Sequence, residues 1–358
     1  MEAKREALLE DATLRLERAP ESIQERKSRH LSVCLDEAVD RTRTHGGAFD
    51  AVRLPHRALP ELDRNEVDTS VTFLGKRLSL PLMIGSMTGG TTEARVVNRR
   101  LAEAAQRANV GMCLGSQRIL LERPELLDSF CVRSVAPEVL LVANLGATQL
   151  ARGTSPATTR RLVDQVGADA LVLHLNAAQE AVQEGGDTRF SGVEAALADA
   201  IPKLGVPCGV KEVGCGFARS DVERLARLPL AYIESAGRGG TSWTRVEGLG
   251  AESRQARALG ELLADWGHSS VESLRHCVDG AGAIPVVASG GIRSGVDAAK
   301  ALALGASLTA MALPLLRAAS DSVDAVTEEI ELFRAGLTAA MFLTGCRDVP
   351  ALRRLFRN

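Results

Sequence analysis

The sequence has no long hydrophobic run, and this absence excludes a membrane-spanning helix. No stretch of about 18 apolar residues, the length that crosses a bilayer, occurs among its 358 residues. The N-terminus, residues 1–10, is charged and has no apolar signal core. The formal net charge is -2, which gives no excess of positive charge for nonspecific nucleic-acid binding. We therefore expect a cytoplasmic protein with neither a membrane nor a nucleic acid as its partner.

Motifs of a disulfide framework and of a transition-metal site are also missing. The seven cysteines are odd in number and scattered, and none forms a Cys-x-x-Cys pair. They are interpreted as buried, reduced thiols. No His-x-His, His-Glu-x-x-His or paired-aspartate cluster occurs. A metal ion is therefore expected to be Mg²⁺, held by one carboxylate and by the phosphates of a ligand.

What the chain does contain is eight short apolar runs, separated by gaps that can each hold a helix. Each run is as apolar as a strand that is buried on both faces. Eight strands in strict alternation with helices predict an α/β fold, a TIM (β/α)8 barrel. The predicted strands are residues 80–86, 110–116, 139–144, 170–176, 206–212, 230–235, 284–289 and 307–312. Helices are predicted over residues 92–108 and 324–342, and from about residue 296.

The predicted organisation is an N-terminal extension with a substrate-covering arm (residues 1–79), the barrel (80–345) and a C-terminal tail (346–358). The first 24 residues are polar and predicted to be helical in part. Residues 46–79, with a hairpin strand at 67–73 and a Gly75-Lys76 turn, are predicted to cap the base of the barrel. The longest gap follows the sixth strand, and a loop of that length usually has a function.

Residues 284–295 predict a phosphate site. An apolar strand breaks at a glycine pair there, and a helix follows. Free backbone amides and the positive end of the helix dipole favour an anion at such a point. Arg293 adds a permanent charge with bidentate geometry. The last two strand-to-loop junctions of a TIM barrel are a usual place for a phosphate.

Polar residues collect at the carboxyl ends of the predicted strands, where a TIM barrel has its active site. Polar side chains occur at seven of the eight strand ends, and they would cost stability if they were buried without hydrogen-bond partners. Lys211 is the most informative, because a lysine in an apolar strand needs an anionic or electron-rich partner. Its partner is either a carbonyl substrate in a Schiff base or the pyrimidine edge of a flavin. The phosphate site fits FMN and also a sugar phosphate.

Residues 25–31 place four cationic or titratable side chains within five positions. Such a stretch is either a solvated basic turn or an arm that folds over an anionic ligand.

Eight motifs, which span about residues 22–345, carry a resemblance to a known family. They are Arg26-Lys-Ser-Arg-His-Leu31, Leu59-Pro-Glu-Leu62, Ser86-Met-Thr-Gly-Gly90, Gly115-Ser-Gln-Arg118, His174-Leu-Asn-Ala-Ala-Gln-Glu180, Lys211-Glu-Val-Gly-Cys-Gly216, Gly237-Arg-Gly-Gly-Thr-Ser-Trp243 and Ser289-Gly-Gly-Ile-Arg293. In kind and order the motifs resemble type 2 isopentenyl diphosphate isomerase. The glycine-rich turn is common to many FMN barrels, whereas the combination of the arm, Met-Thr-Gly-Gly and His-Leu-Asn-x-x-Gln-Glu motifs is much more specific.

The resemblance implies an FMN-dependent (β/α)8 enzyme that interconverts isopentenyl and dimethylallyl diphosphate, with reduced flavin, Mg²⁺ and NADPH as the reductant. It implies a homo-oligomer, a tetramer or octamer. The implied flavin contacts are Ser86, Met87, Thr88, Ser116, Asn144, Lys211 and Thr241, with Gly291, Ile292, Arg293, Met311 and Ala312 at the phosphate. The implied diphosphate-substrate contacts are Arg26, Lys27, His30, Ser116, Gln117, Arg118, His174, Asn176 and Gln179. Glu180 would hold Mg²⁺, and Gln179 is the candidate catalytic residue.

Two positions depart from the family pattern. Glu234 stands where the family usually has Asp, and its extra methylene is expected to shift the flavin-side loop. Arg29 adds a charge where the arm is often acidic.

Three other functions remain open from the residues alone. A flavin-dependent hydroxy-acid oxidoreductase would use His174 as its base. A non-catalytic FMN-binding barrel would serve as a sensor or scaffold. A flavin-free, aldolase-like barrel would form an imine at Lys211.

Overall fold

A computed structural model of the chain describes residues 23–35, 39–40 and 46–356. The prediction for the polar N-terminal segment falls almost entirely on residues 1–22, outside the described residues. No helix in the described ranges is long and apolar enough to cross a membrane. The predicted domain boundaries stay predictions.

Eight parallel strands close into a barrel, in which each strand pairs with its neighbours in chain order and the last strand pairs with the first. The strands are β1 Val71–Phe73, β2 Lys76–Leu78, β3 Leu82–Ile84, β4 Gly111–Cys113, β5 Leu141–Gly146, β6 Ala170–Leu175, β7 Cys208–Glu212, β8 Tyr232–Glu234, β9 Val286–Ala288 and β10 Leu308–Met311. All eight predicted barrel strands are confirmed. The paired parts are shorter than most of the apolar runs, because the ends of those runs lead into the loops and helices.

Helices surround the barrel and cover its strands. They are α1 Ile23–Leu35, α2 Thr92–Ala108, α3 Ala147–Ala151, α4 Pro156–Gln165, α5 Ala177–Val182, α6 Val193–Ala200, α7 Arg219–Leu225, α8 Trp243–Gly250, α9 Arg254–Leu262, α10 Ser270–Gly280, α11 Gly295–Ala303, α12 Leu313–Asp321, α13 Val323–Leu343 and α14 Val349–Arg353. The hydroxyl of Thr91 accepts a hydrogen bond from the Ala94 amide and so caps α2. The predicted helices at 92–108 and 324–342 correspond to α2 and α13.

The hairpin of β1 and β2 closes the amino end of the barrel. Phe73 and Leu78 on the hairpin pack with inward-facing strand residues such as Met83 and Val142. The rings of Phe73 and Tyr232 meet edge to face, with centroids 5.5 Å apart. This apolar plug seals the base, so ligands reach the barrel from the carboxyl end.

The predicted cap across the base is only partly correct. The hairpin at residues 71–78 lies there, but the turn at residues 46–50 lies at the opposite end. A Cβ built on Gly291, in the predicted phosphate loop, would meet the Cβ of Ala48 at 2.6 Å. The N-terminal extension therefore contacts both ends of the barrel.

The long connection after β8 is not an open loop, because it contains three helices, α8, α9 and α10. The α8 helix begins at Trp243 and is capped by the hydroxyl of Ser242. This insertion places α8 beside the arm helix α1.

Candidate active site

One cavity lies at the carboxyl ends of the barrel strands, and the arm helix α1 forms part of its wall. The predicted convergence of polar side chains is therefore confirmed. The predicted site residues that line the cavity are Arg26, Lys27, His30, Ser86, Met87, Thr88, Ser116, Arg118, Asn144, His174, Asn176, Gln179, Glu180, Lys211, Thr241, Gly291, Ile292, Arg293 and Ala312.

Two predicted residues, Gln117 and Met311, do not line this cavity. The side chain of Gln117 is turned into the protein, where its Nε2 donates to the Leu162 carbonyl at 3.1 Å. Its Oε1 accepts from the amide of Asn144 at 3.3 Å, so Gln117 braces β5. Met311 packs into the outer core, because side chains alternate along β10 and its neighbours Ala310 and Ala312 face the cavity. A direct substrate contact of Gln117 and a side-chain contact of Met311 with the phosphate do not fit this geometry.

Lys211 and Glu234 form a buried ion pair at the centre of the cavity. They are direct neighbours in the register of β7 and β8, and Lys211 Nζ lies 3.2 Å from Glu234 Oε1. Lys211 Nζ also donates to the carbonyl of Glu212 at 2.8 Å. Glu234 Oε2 has no hydrogen-bond partner among the described residues. A lysine that is paired with a carboxylate suits contact with an electron-rich ligand better than it suits the role of a nucleophile.

His174 is held in a row of hydrogen bonds that links the ends of four strands. Its Nδ1 lies 2.8 Å from Asn144 Oδ1. Asn144 Nδ2 donates to the hydroxyl of Ser86, which donates to the carbonyl of Leu114 at 2.7 Å. Burial, and next the positive charge of Lys211, lowers the pKa of His174 to about 3. The imidazole is therefore neutral at physiological pH and is a weak base.

The basic stretch at residues 25–31 lies on α1, and its side chains reach the cavity. Lys27 Nζ donates to the carbonyl of Ser116 at 2.9 Å and lies 5.5 Å from the centroid of the Phe130 ring. Burial, and then the charges of Arg26 and Arg118, lowers the pKa of Lys27 to about 7. Crowded cations of this kind are a site for a polyanion, which would relieve their mutual repulsion. The stretch is therefore a helix that lines the cavity and not a solvated turn, and its role as an arm over an anionic ligand stays a prediction.

Glu247 on α8 is a site residue that the sequence reasoning missed. It is 2% exposed, and its Oε1 lies 3.0 Å from His30 Nε2 and accepts from Gln179 Nε2 at 2.7 Å. Burial alone would raise the pKa of Glu247, but the hydrogen bond and charge of His30 hold that pKa below its usual range. The only sequence signal for Glu247 is its position one helical turn after Trp243. In the structure the Trp243 ring meets the His30 ring edge to face.

Glu180 lies on α5 at the edge of the same cavity. Its Oε1 accepts from Asn176 Nδ2 at 2.9 Å, and its Oε2 accepts from the amide of Asp187. No group of three or more His, Cys, Asp or Glu residues that could hold a metal ion occurs among the described residues. Glu180 therefore fits a Mg²⁺ ion that takes its other ligands from a bound phosphate and water.

The glycine pair after β9 forms a backbone cradle. Gly290 and Gly291 have φ of 81° and 97°, a region that side chains disfavour. A Cβ on Gly291 would also meet the carbonyl oxygen of Gly239 at 2.1 Å. The helix α11 begins a few residues later, capped by Ser294. The Nε of Arg293 is buried and has no hydrogen-bond partner among the described residues.

These features fit FMN. The cradle and the free guanidinium donor suit its phosphate, and Lys211 stands where it can face an electron-rich ring. Glycines in the loop after β8 let it pack closely against the phosphate loop, since a Cβ on Gly239 would meet the carbonyl oxygen of Gly290 at 2.7 Å. The fold and this cavity define the class of protein, a flavin-dependent (β/α)8 barrel enzyme.

Comparisons with known proteins show to which family within this class the chain belongs. The sequence profile of the family described as FMN-dependent dehydrogenase matches residues 25–122 and 263–357. The isopentenyl-diphosphate delta-isomerase of Deinococcus radiodurans is 45% identical over 331 residues, which are 92% of this chain and 97% of that protein. The isopentenyl-diphosphate delta-isomerase of Nostoc sp. is 43% identical over 330 residues, 92% and 94% of the two chains. The chain therefore belongs to the isopentenyl-diphosphate delta-isomerase family.

A solved structure of mandelate oxidase with benzaldehyde is also similar. It is 21% identical, covers 92% of this chain and 96% of its own, and has a TM-score of 0.62. At this identity the likeness shows the barrel fold alone.

Proposed function

We propose that this protein interconverts isopentenyl diphosphate and dimethylallyl diphosphate by an allylic proton shift. The observation that carries the proposal is the basic arm, which brings Arg26, Lys27 and His30 to a cavity that already contains Arg118. A diphosphate needs several cationic and hydrogen-bond donors at one point. Apolar residues such as Leu31, Met87 and Trp243 also line the cavity and suit the apolar tail of the substrate.

The residues of the chain divide the work between the two ends of the substrate. Arg118 and the arm bind the diphosphate, and Glu180 holds Mg²⁺ against it. When bound, reduced FMN supplies proton-transfer and cation-stabilising chemistry beside the alkene. Lys211 and Asn144 hold the flavin ring, and the Gly290-Gly291 cradle with Arg293 holds its phosphate.

Gln179 is the candidate residue for moving the proton. Its amide is fixed from two sides, since Nε2 donates to Glu247 and Oε1 accepts from Asn176 Nδ2 at 3.2 Å. The buried Glu247 carboxylate behind it orients the amide of Gln179 through this hydrogen bond. The orientation of Gln179 is therefore set before the substrate enters, which is the condition for efficient proton transfer.

Two of the alternatives are disfavoured by specific contacts. A hydroxy-acid oxidoreductase needs a histidine that takes up a proton, but the pKa of His174 is lowered to about 3. An imine-forming lysine must be a free amine, but Lys211 is paired with Glu234 at 3.2 Å.

The testing experiment is an anaerobic assay of the purified protein with isopentenyl diphosphate, Mg²⁺, FMN and either NADPH or dithionite. We expect dimethylallyl diphosphate only when reduced flavin is present. A yellow protein that forms no product with either reductant would contradict the proposed activity and leave a non-catalytic flavin barrel. We also propose NADPH as the reductant, a cytoplasmic location and a tetrameric or octameric homo-oligomer. Product with dithionite alone would argue against NADPH.

A further inference from the structure

The segment that follows the arm is attached to the loop after β8. Asp40 forms an isolated antiparallel bridge with Thr241, and the amide of Ser242 donates to the carbonyl of Val39 at 3.2 Å. Thr241 lines the cavity. Residues 39–40, which follow the arm helix, are therefore joined by backbone contacts to the wall of the predicted flavin site.

The Asp40 side chain extends this connection to the phosphate loop. Asp40 is 4% exposed, and its Oδ1 accepts from Arg293 Nη2 at 3.0 Å. Its Oδ2 accepts from Arg317 Nη1 at 3.5 Å, and Arg317 lies on α12, the helix after β10. One buried carboxylate thus meets two guanidinium groups that belong to the last two strand-to-helix units of the barrel.

This cluster has capacity for a second anion. Two guanidinium charges against one carboxylate leave a net charge of +1 (2 − 1 = 1) within the three side chains. Arg293 Nε and Arg317 Nη2 are both buried and have no hydrogen-bond partner among the described residues. A buried donor without a partner is costly, and a phosphate would satisfy it and neutralise the remaining charge. Arg293 lines the cavity and Arg317 does not, so Asp40 and a phosphate can share Arg293 without displacing each other.

We propose that Asp40 is a positioning residue that couples the cofactor phosphate to the arm. A phosphate in the Gly290-Gly291 cradle fixes Arg293, and Asp40 then pairs with a guanidinium that no longer moves. The stronger ion pair holds residues 39–40 in place. It thereby restrains the preceding helix α1, which contributes Lys27 to the diphosphate site. The coupling is reciprocal, so each anion strengthens the binding of the other. This inference rests on the proposed function, because it takes the diphosphate to bind under α1.

The first test needs no substitution. Hydrogen exchange of the amides in residues 23–35 is compared in the full-length protein with and without saturating FMN. We expect slower exchange in the arm when FMN is bound, although the arm and the phosphate cradle are different parts of the site. Equal exchange rates in the two states would overturn the coupling.

The second test compares the holoenzymes of Asp40→Asn, Asp40→Glu and a control, Asp164→Asn. Asp164 lies in an exposed ion pair with Arg160 and matches the change in charge. We expect Asp40→Asn to raise the KM for isopentenyl diphosphate about tenfold, with kcat within about twofold, because it removes a charged contact of the arm. Asp40→Glu should restore part of this loss, and the control should leave KM unchanged.

The affinity for FMN separates this inference from a general loss of structure. By linkage, the diphosphate should lower the Kd for FMN of the wild type, and it should do so less in Asp40→Asn. An unchanged KM, or a parallel fall of kcat, Tm and FMN affinity, would overturn the positioning role. Failure of the wild type to bind FMN or to isomerise would instead contradict the proposed function.

Discussion

Replacing Lys27 with Arg is predicted to prevent the loss of diphosphate affinity at alkaline pH. The pKa of Lys27 is lowered to about 7, first by burial and then by the charges of Arg26 and Arg118. A bound diphosphate favours the protonated amine and raises this pKa. Above pH 7 the free enzyme loses the proton that binding requires, so the KM for isopentenyl diphosphate should increase with pH.

The size of the effect follows from the fraction of protonated enzyme. At pH 9, about two units above the pKa, about one enzyme in a hundred carries the charge, so KM rises about 100-fold. This corresponds to about 2.7 kcal/mol of binding free energy. Arg stays charged throughout this range, so the KM of Lys27→Arg should change little between pH 7 and pH 9.

The assay is the anaerobic isomerase reaction, with KM measured from pH 6.5 to pH 9 for the wild type, Lys27→Arg and the control Lys203→Arg. Lys203 lies in an exposed ion pair with Asp199, so its variant should follow the wild-type profile. The reasoning is refuted if the wild-type KM is constant over this range. It is also refuted if Lys27→Arg shows the same increase as the wild type.

Three further substitutions test Gln179 and the two carboxylates near it. Gln179→Asn should retain FMN, measured by absorbance, but lower kcat strongly, because the shorter side chain cannot reach both the substrate and Glu247. Near-normal turnover would remove Gln179 from the mechanism. Glu180→Gln should weaken the Mg²⁺ dependence of the rate, and an unchanged metal titration would argue against Glu180 as a ligand. Glu247→Gln should lower kcat/KM by about 10- to 100-fold, because one charged hydrogen bond contributes about 1.5–3 kcal/mol. Glu261→Gln, which removes an exposed carboxylate on the adjacent helix α9, is its control, and a Glu247→Gln enzyme as active as this control would contradict the role of Glu247.

The barrel strands could be predicted because their signal is local. A run such as residues 170–176 is apolar on both faces, and its polar end shows where the strand reaches solvent. The turn at Gly290 and Gly291 could also be predicted from the sequence, because only glycine adopts that backbone conformation without strain.

Gln117 shows the limit of reasoning from position along a strand. It directly follows Ser116, which lines the cavity, yet a short 3-10 helix begins at Gln117 and turns its side chain into the protein. The direction of a side chain at a strand end depends on the first turn after the strand, and that turn is decided by packing. The sequence alone does not distinguish the two directions.

The sequence alone predicts the number of barrel strands, the end of the barrel where polar groups meet and the position of the glycine cradle. Each of these follows from the periodicity or the backbone freedom of a few consecutive residues. Which distant residues meet depends on the tertiary structure. The helix α1 brings His30 to Glu247, and the segment after it brings Asp40 to Arg293. Such pairs are separated by more than 200 residues, and burial makes their charges interact strongly only once the chain has folded.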